Sequence, residues 1–291
     1  MNRSRAVLSV LAGAVCMSFA GLCVRLIENA DGYQILTFRG LAQGAVVLLV
    51  ACLTRNIRPV QFLKDFDRTD VLIGLLMACA FCFYVFSLLN TSVASTLFIL
   101  SIAPVFAALL AWLVINEKPT AMNCIAIAGA LTGVLIMVGS GVDPGRTTGN
   151  LFAVISAFTF ACMLVIARKS NKKDVLAGNF LGAVLASIAM AAFALTAGRG
   201  LSVSAYDLTM ILVMGAFSIG LGIALVAYAA PNLPAAEVSL LVLLESVLAP
   251  VWVWLLLGEA MSVTELTGGA LIMGSVVILS ITSARTRRMP A

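Results

Sequence analysis

Apolar residues form ten long runs along this chain, and short polar intervals separate them. A helix needs about 20 apolar residues to cross the hydrocarbon core of a membrane, and each run is close to that length. Turn-forming pairs such as Asp31-Gly32 and Lys118-Pro119 mark the intervals. The pattern predicts an all-α polytopic membrane protein with ten transmembrane helices, at approximately 6–27, 33–53, 71–89, 92–115, 120–140, 150–167, 175–197, 207–230, 235–257 and 263–283.

Composition supports this reading and excludes a soluble domain. Hydrophobic residues make up 62% of the chain and charged residues 11%, whereas soluble domains carry about 25% charged residues. The longest polar intervals, 54–70, 141–150 and 168–174, are too short to build a hydrophobic core. We therefore expect the lipid bilayer as a partner and no nucleic acid, because the net charge of +5 arises from loops between spans.

The basic residues fall mainly in every second loop. Fourteen of the eighteen lie in the segments that are cytoplasmic if the N-terminus is inside, and basic loops stay on the cytoplasmic side. The distribution predicts an N-in/C-in topology. The fourteen are Arg3, Arg5, Arg55, Arg58, Lys64, Arg68, Lys118, Arg168, Lys169, Lys172, Lys173, Arg285, Arg287 and Arg288.

An internal repeat appears when the chain is compared with itself at an offset of 142 residues. Seven of the 31 positions from Asn90 to Thr120 are then identical, including Trp112 with Trp254 and Glu117 with Glu259. We expect two five-helix halves, 1–145 and 146–291. Because five is odd, the second half is expected to be inverted, which is the architecture of alternating-access carriers. Glu117 and Glu259 are expected to cap helices or to brace the halves.

Glu245 is the main functional candidate, because it lies in the apolar stretch 235–259, about 15 Å from the start by helical rise. A charged group near the membrane centre costs at least about 2.5 kcal/mol on insertion scales. Glu245 is therefore expected to couple transport to protons or to bind a cationic group of a substrate. The alternative is a structural carboxyl that is neutral or paired with Arg39.

Other charged and aromatic residues within the spans have their own expected roles. Arg39 is a ligand for an anionic group, a partner of Glu245 or an interfacial anchor; Arg25, nearer its helix end, is expected to be an anchor. Tyr84 is positioned to hydrogen-bond a ligand. Trp252, seven residues after Glu245 and on the same helix face, either stacks on a substrate or, like Trp254, lies at the interface.

Two prolines interrupt backbone hydrogen bonding in mid-span. Pro104 and Pro250 are expected to act as hinges or to free a carbonyl that lines the cavity. The alternative is a static kink that is relieved by a neighbouring hydroxyl, such as Ser101 or Ser246.

The fourth span and its exit resemble the EamA-type family of the drug/metabolite transporter superfamily. The motif runs from Ile102-Ala-Pro104-Val105 to Asn116-Glu117-Lys118-Pro119, and Thr37-Phe38-Arg39-Gly40 is also similar to the family pattern. In the second copy Glu259 matches, whereas Ser246 replaces the proline and Pro250 follows four residues later. The resemblance implies a bacterial inner-membrane, multi-pass carrier of ten helices, in a family whose members import or export amino acids, nucleobases, vitamins and other small metabolites.

These observations favour a secondary transporter that moves a small metabolite, such as an amino acid, by alternating access, with the proton as the candidate coupling ion. An uncoupled facilitator is the alternative. A membrane-embedded enzyme is disfavoured, since the chain has no histidine and no soluble catalytic domain. We expect no catalytic residue, metal or cofactor, and the chain is expected to be a monomer or a homodimer. The sequence leaves substrate and transport direction open.

Overall fold

The computed structural model describes residues 2–115, 121–139, 144–170, 172, 175–233 and 235–286, and these form helices and connecting turns without a strand. Glu117 lies outside the described residues. The elements are α1 (Arg3–Ser18), α2 (Ala20–Leu26), α3 (Gly32–Arg55), α4 (Pro59–Lys64), α5 (Arg68–Asn90), α6 (Val93–Leu100), α7 (Ala103–Ile115), α8 (Ala121–Gly139), α9 (Pro144–Lys169), α10 (Leu176–Thr196), α11 (Ala205–Val213), a π-helix (Met214–Leu221), α12 (Gly222–Ala229), a 3₁₀ turn (Ala230–Asn232), α13 (Ala235–Leu257) and α14 (Val263–Thr286).

The described part of the chain contains nine helical spans that are long and apolar enough to cross a membrane. This finding confirms a multi-pass helical membrane protein. The remaining expected span, 120–140, corresponds to α8 (Ala121–Gly139), which is also an apolar helix. The nine are Arg3–Leu26, Gly32–Arg55, Arg68–Asn90, Val93–Val114, Arg146–Lys169, Leu176–Thr196, Ala205–Ala229, Leu240–Leu257 and Val263–Ile281.

The fourth span is broken and the ninth is not. α6 ends at Leu100 and α7 begins at Ala103, so Pro104 lies in the first turn of α7, where a missing N–H removes no helical bond. Pro250, by contrast, lies inside the continuous helix α13. The expected interruption is therefore found at Pro104 as a break between two helices, while Pro250 leaves its helix unbroken.

Helices from the two halves of the chain pack against each other throughout the bundle. α1 packs on α12 and α13, α8 on α14, and α3 and α5 on α10. Glycine permits the closest approach: a Cβ placed at Gly133 would lie 2.7 Å from the carbonyl oxygen of Gly268. The largest buried cluster includes side chains from α2, α3, α5, α6, the π-helix and α13. The interior around α13 is thus shared between both halves.

Candidate functional site

Glu245 lies in the middle of α13 and is half-buried. Within the described chain, its carboxylate forms no hydrogen bond and no ion pair. Pairing with Arg39 is therefore not what the structure shows. A carboxylate at the centre of a membrane helix that lacks a partner is unfavourable by about 2.5–3.5 kcal/mol on insertion scales, and this group is free to bind a proton or a cation.

Tyr84 is a buried tyrosine near Glu245. It lies on α5, it is 7% exposed, and it is within electrostatic range of both Glu245 and Arg39. The same buried cluster contains Ala249 and Val253, which lie one and two turns after Glu245 on α13. Tyr84 is therefore near both charged candidates.

Two serine hydroxyls join the break in the fourth span to α13. The Oγ atoms of Ser101 and Ser246 are 2.8 Å apart, and Ser101 Oγ also donates to the carbonyl of Leu97 at 2.8 Å. A hydroxyl donates only one hydrogen bond, so Ser246 is the donor to Ser101. The bond joins the two halves of the chain directly beside Glu245.

Trp252 has structural partners for its N–H and for one face of its ring. Nε1 donates to Ser18 Oγ at 2.9 Å, and the indole stacks on Phe19 with 5.4 Å between centroids and 7° between planes. Trp254, in contrast, is 51% exposed. The indole of Trp252 therefore packs against the junction of α1 and α2.

Pro250 lines a narrow cleft at the end of α13. The cleft is bordered by Ser92, Val253, Glu259 and Glu265. With the N-in topology that the basic loops predict, this cleft opens at the outer face.

Arg25 and Glu259 close this end of the bundle. Arg25 Nε donates to Glu259 at 2.6 Å, and its other nitrogens donate to the carbonyls of Leu88 and Thr91, each at 2.7 Å. Glu259 also accepts a hydrogen bond of 3.0 Å from the backbone N–H of Val93, at the start of α6. The bracing role expected for Glu259 is confirmed, whereas Arg25 binds protein groups rather than acting as a simple anchor.

Glu265 is a buried carboxylate that the sequence interpretation missed. It is 4% exposed and accepts hydrogen bonds from the backbone N–H of Ser262 at 2.6 Å, the hydroxyl of Ser95 at 2.9 Å and the hydroxyl of Ser92. The spacing Ser262-x-x-Glu265 is a capping-box signature, so a local signal was present. Its contacts fix α14 to α6 across the two halves.

Arg39 is enclosed by the protein. It is 1% exposed, and its Nη2 donates to Gln43 at 3.1 Å, while Gln43 donates to Asn179 at 2.8 Å. The ring of Phe81 covers the guanidinium at 4.8 Å, and Nε and Nη1 have no hydrogen-bond partner among the described residues. Gln43 lies one turn further along α3, so the side chain points away from the Tyr33 end, which is the opposite of snorkelling to that interface.

Gln43 and Asn179 were not among the predicted site residues. A glutamine four residues after an arginine in an apolar helix faces the same side, which is a signal that local reasoning offers. Asn179 is an isolated amide in the seventh span, and only the folded structure reveals that it contacts α3.

An ion-pair cluster lies at the start of α5. Lys172 Nζ is 2.7 Å from Asp67 and 2.9 Å from Asp70. The hydrogen bond from Lys172 holds the pKa of Asp67 below its ordinary value. Partial burial opposes the charge of Lys172, but hydrogen bonds to the two aspartates raise its pKa overall.

Comparison with known proteins identifies a transporter family. The model of the EamA-like transporter family matches residues 4–139 and again residues 147–281. An "Uncharacterized transporter" of Archaeoglobus fulgidus is 25% identical over 281 residues, which cover 93% of this chain and 94% of that protein. Solute carrier family 35 member G1 of Homo sapiens is 27% identical over 176 residues, which cover 56% of this chain and 47% of that protein.

A solved crystal structure has a similar fold. It superposes with a TM-score of 0.67 at 18% identity, and the alignment covers 98% of this chain and 99% of the other. At this identity the similarity concerns the fold alone.

Proposed function

Because this chain belongs to the EamA-like transporter family, we propose that it is a secondary transporter that moves a small metabolite across a bacterial inner membrane by alternating access. Ten spans form two inverted five-helix halves, 1–145 and 146–291, with both termini in the cytoplasm. The two separate matches to the family model, one in each half, support this arrangement.

The observation that carries the proposal is the half-buried, unpartnered carboxylate of Glu245. Because no described side chain pairs with it, the carboxylate is available to take up a proton in one conformation and release it in another. The proposed path past this carboxylate includes Tyr84 on α5, Ser101 and Pro104 at the break between α6 and α7, and Pro250 on α13. Intramembrane ionisable residues that face a bundle interior are characteristic of proton and substrate pathways.

Contacts between the two halves of the chain, at both ends of the bundle, support the alternating-access proposal. At one end Arg25 binds Glu259. At the other end Arg3, at the start of α1, lies 3.2 Å from Glu237, in the first turn of α13. Opening of one pair while the other stays closed would expose the Glu245 region to one side at a time.

Proton movement in proteoliposomes tests the role of Glu245. Vesicles loaded with a pH-sensitive dye receive a mixture of amino acids, and both internal pH and uptake of radiolabelled amino acids are recorded. We expect the wild-type protein to move protons with its substrate and Glu245→Gln to lose this proton movement. Glu28→Gln, a matched change at an exposed glutamate outside the spans, should retain it.

Two results would contradict the coupling role. One is a folded Glu245→Gln protein with undiminished proton movement. The other is wild-type uptake without any change in internal pH, which would favour an uncoupled facilitator.

A further inference from the structure

Arg39 is a buried cation without a counter-charge. The groups that face it are the amide of Gln43, the ring of Phe81, the phenol of Tyr84 and the thiol of Cys82, and all of them are neutral in their ordinary protonation states. No described carboxylate forms an ion pair with its guanidinium. Burial of a charge is strongly unfavourable unless the charge is paired and hydrogen-bonded.

The surroundings orient this cation without satisfying it. Gln43 binds one terminal nitrogen and is itself held by Asn179 on α10, so the guanidinium is fixed from two helices. Nε and Nη1 remain without an acceptor although both atoms are buried. An arginine that serves only packing would have its donors bound by carbonyl groups, as Arg25 does with Leu88 and Thr91.

The helix that packs behind Arg39 is also unusual. Gly215, in the π-helix, approaches so closely that a Cβ there would lie 2.5 Å from the carbonyl oxygen of Arg39. π-helical turns are rare and are frequent at functional sites. This observation is independent of the free donors of the guanidinium.

We propose that Arg39, Gln43 and Asn179 form a binding site for a small anion, which is either a carboxylate group of the transported solute or a halide ion. The anion supplies the missing counter-charge and accepts hydrogen bonds from Nε and Nη1. The site is separate from Glu245, because Arg39 lies on α3 against α5 and α10, whereas Glu245 lies on α13. The inference rests on the proposed function only where it assigns the anion to the solute.

Thermal unfolding of the purified protein in detergent tests the site without transport. Sodium acetate or sodium chloride is titrated at constant ionic strength against the bulky sulfonate HEPES. Ligands that bind only the folded protein raise its apparent stability, so the unfolding temperature of the wild type should rise and saturate. Arg39→Met should abolish the rise, and Arg199→Met, which alters an exposed arginine paired with Asp31, should retain it.

The unfolding temperature of Arg39→Met without added anion separates a binding role of Arg39 from a structural role. Without a small anion, Arg39→Met should unfold at about the same temperature as the wild type, since removal of the desolvation penalty of an unpaired buried charge offsets the lost hydrogen bond to Gln43. If Arg39→Met does not fold, Asn179→Leu provides the second test. It should weaken acetate or chloride binding by roughly tenfold, because Gln43 is no longer held in place.

The outcomes are distinct. If acetate alone raises the unfolding temperature of the wild type, the anion is a carboxylate group of the solute. If chloride raises it as well, the site also accepts halides. Absence of any saturable rise in the wild type, or an unchanged rise in Arg39→Met, overturns the proposal. Acetate binding should persist in Glu245→Gln, so failure of the anion site and failure of the coupling role are measured separately.

Discussion

Glu245 and Glu265 lie in consecutive spans but in opposite chemical environments. Glu265 accepts hydrogen bonds from three serines, whereas Glu245 accepts none within the described chain. A carboxylate with a complete set of donors is held in one position and one charge state. The free carboxylate is therefore the one suited to change its state during a transport cycle.

Replacement of glutamate by glutamine should affect the stability of the protein differently at Glu265 and at Glu245. Glu265→Gln places an NH₂ group against serine hydroxyls and a backbone N–H, so donors lose their acceptor and we expect a loss of roughly 1–3 kcal/mol of stability. Glu245→Gln breaks no hydrogen bond and should leave the stability unchanged or slightly higher. Thermal unfolding in detergent measures both, and equal losses would contradict the difference in environment.

The cluster of Lys172 with Asp67 and Asp70 predicts a pH dependence. Because the folded-state pKa of Asp67 is lowered, its contribution to stability is fully present above the unfolded-state pKa of about 3.9 and is lost as the pH falls through the folded-state value. The raised pKa of Lys172 gives a contribution that is present below about pH 10.4 and lost as the pH rises through the folded-state value.

We therefore expect Lys172→Gln to lower the unfolding temperature slightly at neutral pH, and the difference from wild type to shrink below about pH 4. Lys169→Gln, an exposed neighbour, serves as the control. A difference that persists unchanged at pH 3 would contradict the assignment.

Glu245 could be selected as a candidate from the sequence alone. The direction of the Arg39 side chain could not be predicted. A carboxylate in an apolar run is conspicuous on its own. The orientation of Arg39 depends on Gln43, which depends on Asn179, and these two residues are 136 positions apart. Long-range contacts of this kind leave no trace in local periodicity.

At the level of elements, close contact between α8 and α14 depends on glycine. A Cβ at Gly133 would meet the backbone oxygen of Gly268, which has no rotamer to change, so the helices must separate. We expect Gly133→Ala to cost roughly 1–3 kcal/mol by overpacking. Gly274→Ala, on α14 with nothing within 4 Å of its Cβ, should be neutral or stabilising by up to about 1 kcal/mol.

These two variants are compared by thermal unfolding in the same detergent. A Gly133→Ala protein as stable as Gly274→Ala would show that the contact between α8 and α14 is not tight.

Hydrophobic runs predicted where the helices lie because membrane spans require length and apolarity together. They did not predict the irregular turns inside spans. Pro104 indicated an interruption of the fourth span, but the break begins at Ser101, where the hydroxyl bonds to Ser246 in the other half. Residues 207–230 form a uniform apolar run, and nothing in it signals a π-helix.

At the level of the whole molecule, the proposed alternating access requires the Arg25–Glu259 pair to separate when one end opens. Both side chains are about one quarter exposed, at 24% and 26%, and a pair of this kind contributes about 1 kcal/mol or less. Arg25→Gln should therefore shift the population towards opening at that end by roughly fivefold.

Labelling of a cysteine at Val253 measures this shift, because Val253 is 1% exposed and lines the cleft. In a background without the native cysteines, Val253→Cys should react with a membrane-impermeant maleimide about fivefold faster when Arg25→Gln is also present. Arg199→Gln is the control. Equal rates in all three proteins would show that the pair does not control access.

The π-helix at Met214–Leu221 gives the eighth span an unusual tolerance to changes in length. Its hydrogen bonds connect residues five apart rather than four, so removal of one residue would restore ordinary spacing and leave the segments on both sides in phase. In α11 or α12 the same deletion would rotate every later side chain by about 100° about the axis. Natural gain or loss of a single residue in this span is therefore expected to concentrate within these eight positions.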